Sequence, residues 1–233
     1  MIFMAMWCGF FFATLAFVQI WMVGPFKKIL QLNGNFNFAA TPEELANLLN
    51  EVTSPRYIFF LHWRWIVPKA LVEEYECVCF HMTDVPFGRG GSPLQNLIVR
   101  GYKDTVLSSL RMEEGIDSGP VYFKYPLNLN GSAGDIYRRS TELSWKMINE
   151  IIIKQPAPKK QKGPITEFKR RAPEQSKIPE DLNIAQIYDH IRMLDAEGYP
   201  KAFLESDSYK LIFENAEIDG EQIHANVLIK KKR

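Results

Sequence analysis

Two short apolar runs, Tyr57 to Leu61 and Cys77 to Phe80, constrain the fold of this 233-residue chain most. Each is continuous, with no polar residue to mark a solvent face, which is how strands buried on both sides of a layered sheet read. Between them, Pro68 to Tyr75 has the length of a helix of roughly two turns. Strand, helix and strand in that order favour parallel pairing across a helical crossover. The alternation extends in both directions. Asn35 to Ala40 reads as a short strand. Thr41, Pro42 and Glu44 stand at N-cap, N1 and N3 of a capping box ahead of Leu45, Leu48 and Leu49. Pro93 to Arg100 reads as helix, Thr105 to Met112 and Val121 to Tyr125 as strands. Gly134 to Ile153 is a long amphipathic helix with Ile136, Leu143, Met147 and Ile151 in one stripe. Residues 35–155 therefore predict an α/β domain with a mostly parallel central sheet.

The remainder has a different character. Gln155 to Gly163 is a proline- and lysine-rich connector. Beyond it, Leu182 to Asp195 reads as helix and Gly198-Tyr199-Pro200 as a turn. Ala202 to Leu204, Tyr209 to Glu217 and Gln222 to Ile229 read as strands, with Asp219-Gly220 as a hairpin turn. The expected division is an apolar segment 1–26, an α/β domain 27–155, a linker 156–181 and a small β-rich α+β subdomain 182–233. The apolar segment carries no charged side chain until Lys27 and Lys28. Its length, roughly 20 apolar residues, would span a bilayer as a helix and leave the body cytoplasmic. The same residues also suit a core strand and helix, or an aberrant start of translation. A cytoplasmic protein is expected, with membrane contact through residues 1–26 and pairing with a second copy left open.

Charge and cysteine content exclude some classes. Twenty-eight Lys plus Arg against 27 Asp plus Glu leave a formal net charge of +1, so no global field captures a polyanion. The region after the connector is slightly acidic. No nucleic-acid partner is therefore expected. Cys8, Cys77 and Cys79 make neither a disulfide framework nor a zinc set. His62, His190 and His224 are too scattered for a ligand set, so no metal is expected.

The chemistry concentrates between Phe80 and Gly119. His81 follows a buried strand and would emerge at its carboxyl end, where open α/β sheets bind ligands. Gly88-Arg89-Gly90-Gly91-Ser92 then opens a helix at Pro93, and its glycines would let backbone N–H groups approach an anion. Glu113 to Gly119 closes a later strand with Asp117 between flexible glycines. A histidine and a carboxylate on neighbouring strand ends form a proton-handling pair. The alternative is a surface histidine and a turn aspartate that never meet.

The run CVCFHMTDVPFGRGGSPLQNLIVRG, followed by TVLSSLRMEEGIDSGPVYFK, resembles the formyltransferase family. The likeness lies in His81, Pro86, Arg89, Gly90, Pro93, Thr105, Asp117 and Gly119, and covers about residues 35–155. It implies a Rossmann-like domain that moves a formyl group from N10-formyltetrahydrofolate to an amine, with His81 stabilising the oxyanion and Asp117 orienting it. It also implies cofactor contacts from Trp65, Ile66, Val67, Glu114, Gly115 and Ile116. Acceptor contacts would come from Gly88, Arg89, Gly90, Gly91 and Ser92. The sequences FKRRAPEQS and IYDHIRMLDAEGYPKAF further resemble small sugar N-formyltransferases of the pseudaminic acid type. That likeness implies a nucleotide-linked amino sugar as acceptor, with Phe168, Arg170 and Arg171 closing over it. Methionyl-tRNA formyltransfer, hydrolysis of formyl-folate and a non-catalytic tethered homologue are the other readings. Two departures stand out. Cys79 occupies the family's usual asparagine position, leaving Thr83 or a backbone N–H to supply the missing donor, and residues 1–23 do not look like the family's first strand and helix.

Overall fold

The computed structural model describes residues 2–8, 11–17, 36–51, 55–63 and 65–232. Its central sheet combines Ile2–Cys8 (β1), Phe11–Phe17 (β2), Tyr57–Phe60 (β4), Cys77–His81 (β5), Asp104–Arg111 (β7) and Val121–Asn128 (β8). A short strand, Phe36–Phe38 (β3), and Arg89–Gly90 (β6) complete the numbering. The centre is parallel: β1 pairs with β4, Ile2 opposite Tyr57, and β4 with β5, Phe60 opposite Cys79. Antiparallel strands extend it, with β2 on β1, β7 on β5 and β8 on β7. Pro126 sits in β8, at the sheet's edge, where a missing N–H is tolerated.

The continuous apolar runs have a direct explanation. Tyr57, Phe59 and Leu61 pack on one face of β4 against Trp145, Ile148 and Ile151 of Ala133–Lys154 (α4). Ile58 and Phe60 pack on the opposite face with Leu45, Leu48 and Leu49 of Pro42–Glu51 (α1) and Leu71 and Val72 of Lys69–Glu74 (α2). Side chains alternate across a strand, so a strand between two helical layers needs apolar residues at every position. Only half of the capping box expected at α1 is formed: Glu44 N donates to Thr41 Oγ1 at 3.2 Å, while Glu44 Oε2 accepts from Ala40 N at 2.5 Å, one residue before the N-cap. Ser132 and Asp135 make the full reciprocal box at α4.

The apolar N-terminal residues that are described form strands, which corrects the membrane-helix expectation over 2–8 and 11–17. In β1 and β2 the backbone groups are satisfied by neighbouring strands. Among the described residues no helix is long and apolar enough to cross a membrane. The rest of the segment, with Lys27, Lys28 and the strand start expected at Asn35, lies outside the described residues.

The chain continues through Pro93–Val99 (α3), a two-residue strand Glu167–Phe168 (β9), a 3-10 turn Pro173–Ser176 and Ile184–Arg192 (α5). It ends in an antiparallel sheet of Phe203–Glu205 (β10), Tyr209–Asp219 (β11) and Gln222–Lys231 (β12). Arg192 ties this C-terminal part to the body. Its buried guanidinium donates to Leu129 O at 2.6 Å and Gly131 O at 2.9 Å, and its Nε reaches Asp189 Oδ1 at 2.6 Å. A buried cation held this fully is costly to strip of its partners. The connector is equally well held. Lys159 exchanges backbone hydrogen bonds of 2.8 Å with Val121, and Thr166 N donates to Pro86 O at 3.1 Å.

Candidate active site

His81 is the last residue of β5 and is 7 % exposed. Its Nε2 lies 2.7 Å from Gly88 O; a carbonyl only accepts, so this nitrogen carries the hydrogen. The other ring nitrogen, Nδ1, lies 3.4 Å from Asp117 Oδ2. The pair suggested by the sequence therefore meets. Asp117 is delivered by the loop 112–120 between β7 and β8, in a left-handed conformation with φ 49°. That loop closes only with glycine at 119, where a Cβ would stand 1.8 Å from Arg111 O. Gly90 N donates to Asp117 Oδ2 at 2.9 Å, so one carboxylate oxygen serves both the histidine and the glycine-rich segment.

That segment does not present its backbone donors to a ligand, as its glycines had suggested. It pairs with the connector, β6 running parallel to β9. Arg89 N donates to Thr166 O and Gly91 N to Phe168 O, each at 3.0 Å, while Ser92 Oγ accepts Arg171 N at 3.0 Å. The glycines serve close approach of chain to chain: a Cβ on Gly90 would meet Phe168 O at 2.5 Å, and one on Gly91 would meet Arg170 Cα at 2.6 Å. The fold-back of Phe168, Arg170 and Arg171 onto Gly88–Ser92 is thus present, but the expected roles change. Phe168 is 4 % exposed, with the Phe87 ring edge-on at 5.4 Å and the Arg100 guanidinium 4.7 Å away over its ring. It fills the core and is not offered to a flat ligand. Arg171 donates to Gln175 O at 2.6 Å, and burial lowers its pKa. Arg170 is exposed.

The residues expected to hold the formyl donor lie on two adjoining loops, bridged by Lys69 Nζ and Glu114 Oε2 at 3.2 Å. Trp65 packs 4.6 Å from the Trp63 ring, and Val67 joins the helical layer below. Ile66 and Ile116 are 94 % and 72 % exposed, one on each loop, while Gly115 turns with φ 103°. Cys79 is half-buried. Burial, and then the Asp117 carboxylate, push its thiol well above its usual range, leaving a weak donor. Thr83 does not replace the asparagine either, because its buried hydroxyl donates to Gly88 O at 3.3 Å.

His62 makes a 3.2 Å contact from Nε2 to Thr141 Oγ1 and stands edge-on to Tyr137 at 5.3 Å between ring centres. Burial pushes its pKa down to about 4, so it is neutral at physiological pH and acts as a packing residue. Among the described residues no group of three or more His, Cys, Asp or Glu side chains could hold a metal. Sequence reasoning missed Gln161. Its Oε1 accepts from Arg89 Nε at 3.1 Å and Nη2 at 2.8 Å, and its Nε2 donates to Asp117 O and Gly119 O at 2.8 Å each. Nothing in QPAPKKQKG sets this glutamine apart.

The family described as methionyl-tRNA formyltransferase, C-terminal domain, matches residues 173–230. A solved structure from Clostridium thermocellum, described as a methionyl-tRNA formyltransferase, is 48 % identical. It superposes with a TM-score of 0.77 over 82 % of this chain and 83 % of that one. The methionyl-tRNA formyltransferase of Sinorhizobium medicae is 27 % identical over 152 residues, 61 % of this chain and 48 % of the relative, so the chain spans about half the length of that curated relative. A 4-N formyltransferase from Francisella tularensis shares the fold at 19 % identity, with a TM-score of 0.55 over 70 % of this chain and 69 % of that one. Two of these relatives are named for methionyl-tRNA, a nucleic acid, which overturns the expectation of no nucleic-acid partner. That expectation rested on summed charge, which hides local clusters such as the exposed Lys159, Lys160 and Lys162 of the connector and the exposed Lys169 and Arg170 after it.

Proposed function

Because this chain belongs to the formyltransferase family, we propose that it moves a formyl group from N10-formyltetrahydrofolate to a primary amine. The observation that carries the reading is the contact of His81 Nδ1 with Asp117 Oδ2 at the carboxyl end of β5. The donor, when bound, supplies an activated formyl carbon. Trp65, Ile66, Val67 and the turn Glu114–Ile116 would hold it. Two exposed isoleucines suit the faces of a flat ring, and the backbone of the turn suits its polar edge.

The chain's own groups then divide the work. His81 Nε2–H is the donor suited to negative charge growing on the formyl oxygen. To meet it, this hydrogen must leave Gly88 O, so the step is tied to a shift of the glycine-rich segment or of the ring. The Asp117 carboxylate faces Nδ1 and is the acceptor for the proton that the amine gives up as its bond to the formyl carbon forms, the bond to N10 breaks and tetrahydrofolate leaves.

For the acceptor, we read the aminoacyl amine of methionyl-tRNA, following the names of the relatives. The exposed cations of the connector and Arg170 suit a phosphate backbone. An amino-sugar nucleotide is the second reading, favoured by the excess of carboxylates over cations in residues 173–230. The test is to incubate the chain with formyl-folate and either methionyl-tRNA or a panel of amino-sugar nucleotides, and to look for a mass gain of one formyl group. Gain on the sugar alone selects the second reading. Formate release without either acceptor marks a hydrolase, and no turnover with any of them overturns the transferase reading.

A further inference from the structure

We infer that Gln161, on the connector, is a positioning residue that sets the Asp117 carboxylate against His81. The inference rests on the formyl-transfer reading for its kinetic arm only. Every hydrogen-bonding position of this amide is used. Two acceptor bonds come from Arg89 on the glycine-rich segment, and two donor bonds go to the carbonyls of Asp117 and Gly119 on the opposite loop. One neutral side chain thus braces the two segments that surround the histidine.

The brace stands on fixed ground. The connector is pinned before Gln161 by the paired bonds of Lys159 with Val121, and after it by Thr166 N to Pro86 O and the pairing of β9 with β6. The loop it braces needs support. Asp117 holds a left-handed backbone, φ 49°, a conformation that local hydrogen bonds must hold in place. Gly90 N on the carboxylate and Gln161 Nε2 on the carbonyl are the bonds that impose it from either end of the residue. Without the second, the backbone can relax and carry Oδ2 away from Nδ1.

Only an amide meets both demands. Leucine has a similar volume and satisfies neither side. Glutamate keeps an acceptor for Arg89 but points its other oxygen at two carbonyls. Glutamate therefore separates support of the Asp117 loop from a mere tie to Arg89.

Gln161→Leu and Gln161→Glu are compared with the unaltered protein, with Ala157→Ser, a change at an exposed position of the same connector, as control. We expect kcat to fall roughly 10- to 100-fold in both, the cost of small misplacement of reacting groups. KM for formyl-folate should change little, and Ala157→Ser should match the parent. Nitrogen and carbon NMR at fixed pH, read on folded protein without substrates, should show the His81 ring resonances displaced in both variants, with those of His190 and His224 in place. Retained kcat together with an unmoved His81 resonance overturns the inference. So does activity retained in Gln161→Glu and lost only in Gln161→Leu, which would reduce the residue to a partner of Arg89. If Gln161→Leu does not fold, Gln161→Glu decides by the same two readouts. If the unaltered protein transfers no formyl group, the transferase reading fails and the NMR comparison still decides the role of Gln161.

Discussion

Acid should weaken this fold through His62, and replacing that one residue should remove a measurable part of the weakness. His62 sits below α4 with Nε2 at Thr141 Oγ1, and burial holds its pKa down at about 4. The unfolded chain offers an ordinary histidine near 6.5. The folded state is the one that resists the proton, so the contribution runs in one direction. Above pH 6.5 both states are neutral at this position and nothing is lost. As pH falls from 6.5 towards 4, the unfolded state gains a proton that the folded state refuses, and stability drops. At about 1.36 kcal/mol per pH step, the loss is about 2 kcal/mol at pH 5 and about 3 kcal/mol below pH 4. Burial of His190 acts in the same direction, so the test must be a difference. His62→Asn suits it, because asparagine tolerates the left-handed backbone found at position 62, φ 50°. Urea unfolding at pH 7.5, 6, 5 and 4.5 gives the stability of both proteins. The variant is expected to be less stable at pH 7.5, where packing alone counts, and to close the gap by about 2 kcal/mol at pH 5. A gap that stays constant with pH would refute the argument, since it would show that His62 takes up its proton alike in both states.

Three further outcomes follow from the site. His81→Ala should melt within a few degrees of the parent and lose on the order of 10²- to 10³-fold in formyl transfer, the usual cost of one group facing a developing oxyanion; near-full activity would remove His81 from the chemistry. Asp117→Asn keeps an oxygen for Gly90 N but no charge opposite Nδ1, so titration with a folate analogue should show retained binding while turnover is lost. If turnover survives and only folate affinity falls, Asp117 is a donor-site residue. Arg170→Ala removes an exposed cation beside the glycine-rich segment; the acceptor's KM should rise with formyl-folate affinity unchanged, and a response in the folate arm alone would sink the assignment.

Much of the α/β domain was legible because its physics is local. Strands between two helical layers must be apolar at every position, and Tyr57–Leu61 carries that mark without ambiguity. The N-terminal residues carry no such mark: where nearly every side chain is apolar there is no period to tell a spanning helix from the strands 2–8 and 11–17. His81 and Asp117 stood out because a polar group at a strand end and an acid between glycines are unusual surroundings. Phe168 misled for the opposite reason. An aromatic beside arginines looks like a platform for a ligand, yet its ring turns inward to Phe87 while the backbone makes the contacts. Gln161 was invisible because its partners are main-chain carbonyls and an arginine far away in sequence, and no spacing rule records them.

The pairing of Arg89–Gly90 with Glu167–Phe168 also has a consequence in time. A chain leaves the ribosome at about 5–20 residues per second, so His81 is synthesised and then waits about 4–17 s for the segment that buttresses its neighbours. During that interval the nascent sheet can gather β4, β5, β7 and β8 and receive α4, while the glycine-rich segment has neither Thr166 nor Phe168 to hold it. The pairing that holds the glycine-rich segment beside His81 is therefore the last strand contact of the α/β layer to become available. A polypeptide interrupted before residue 166 carries His81 and Asp117 but not the strand that fixes the segment between them.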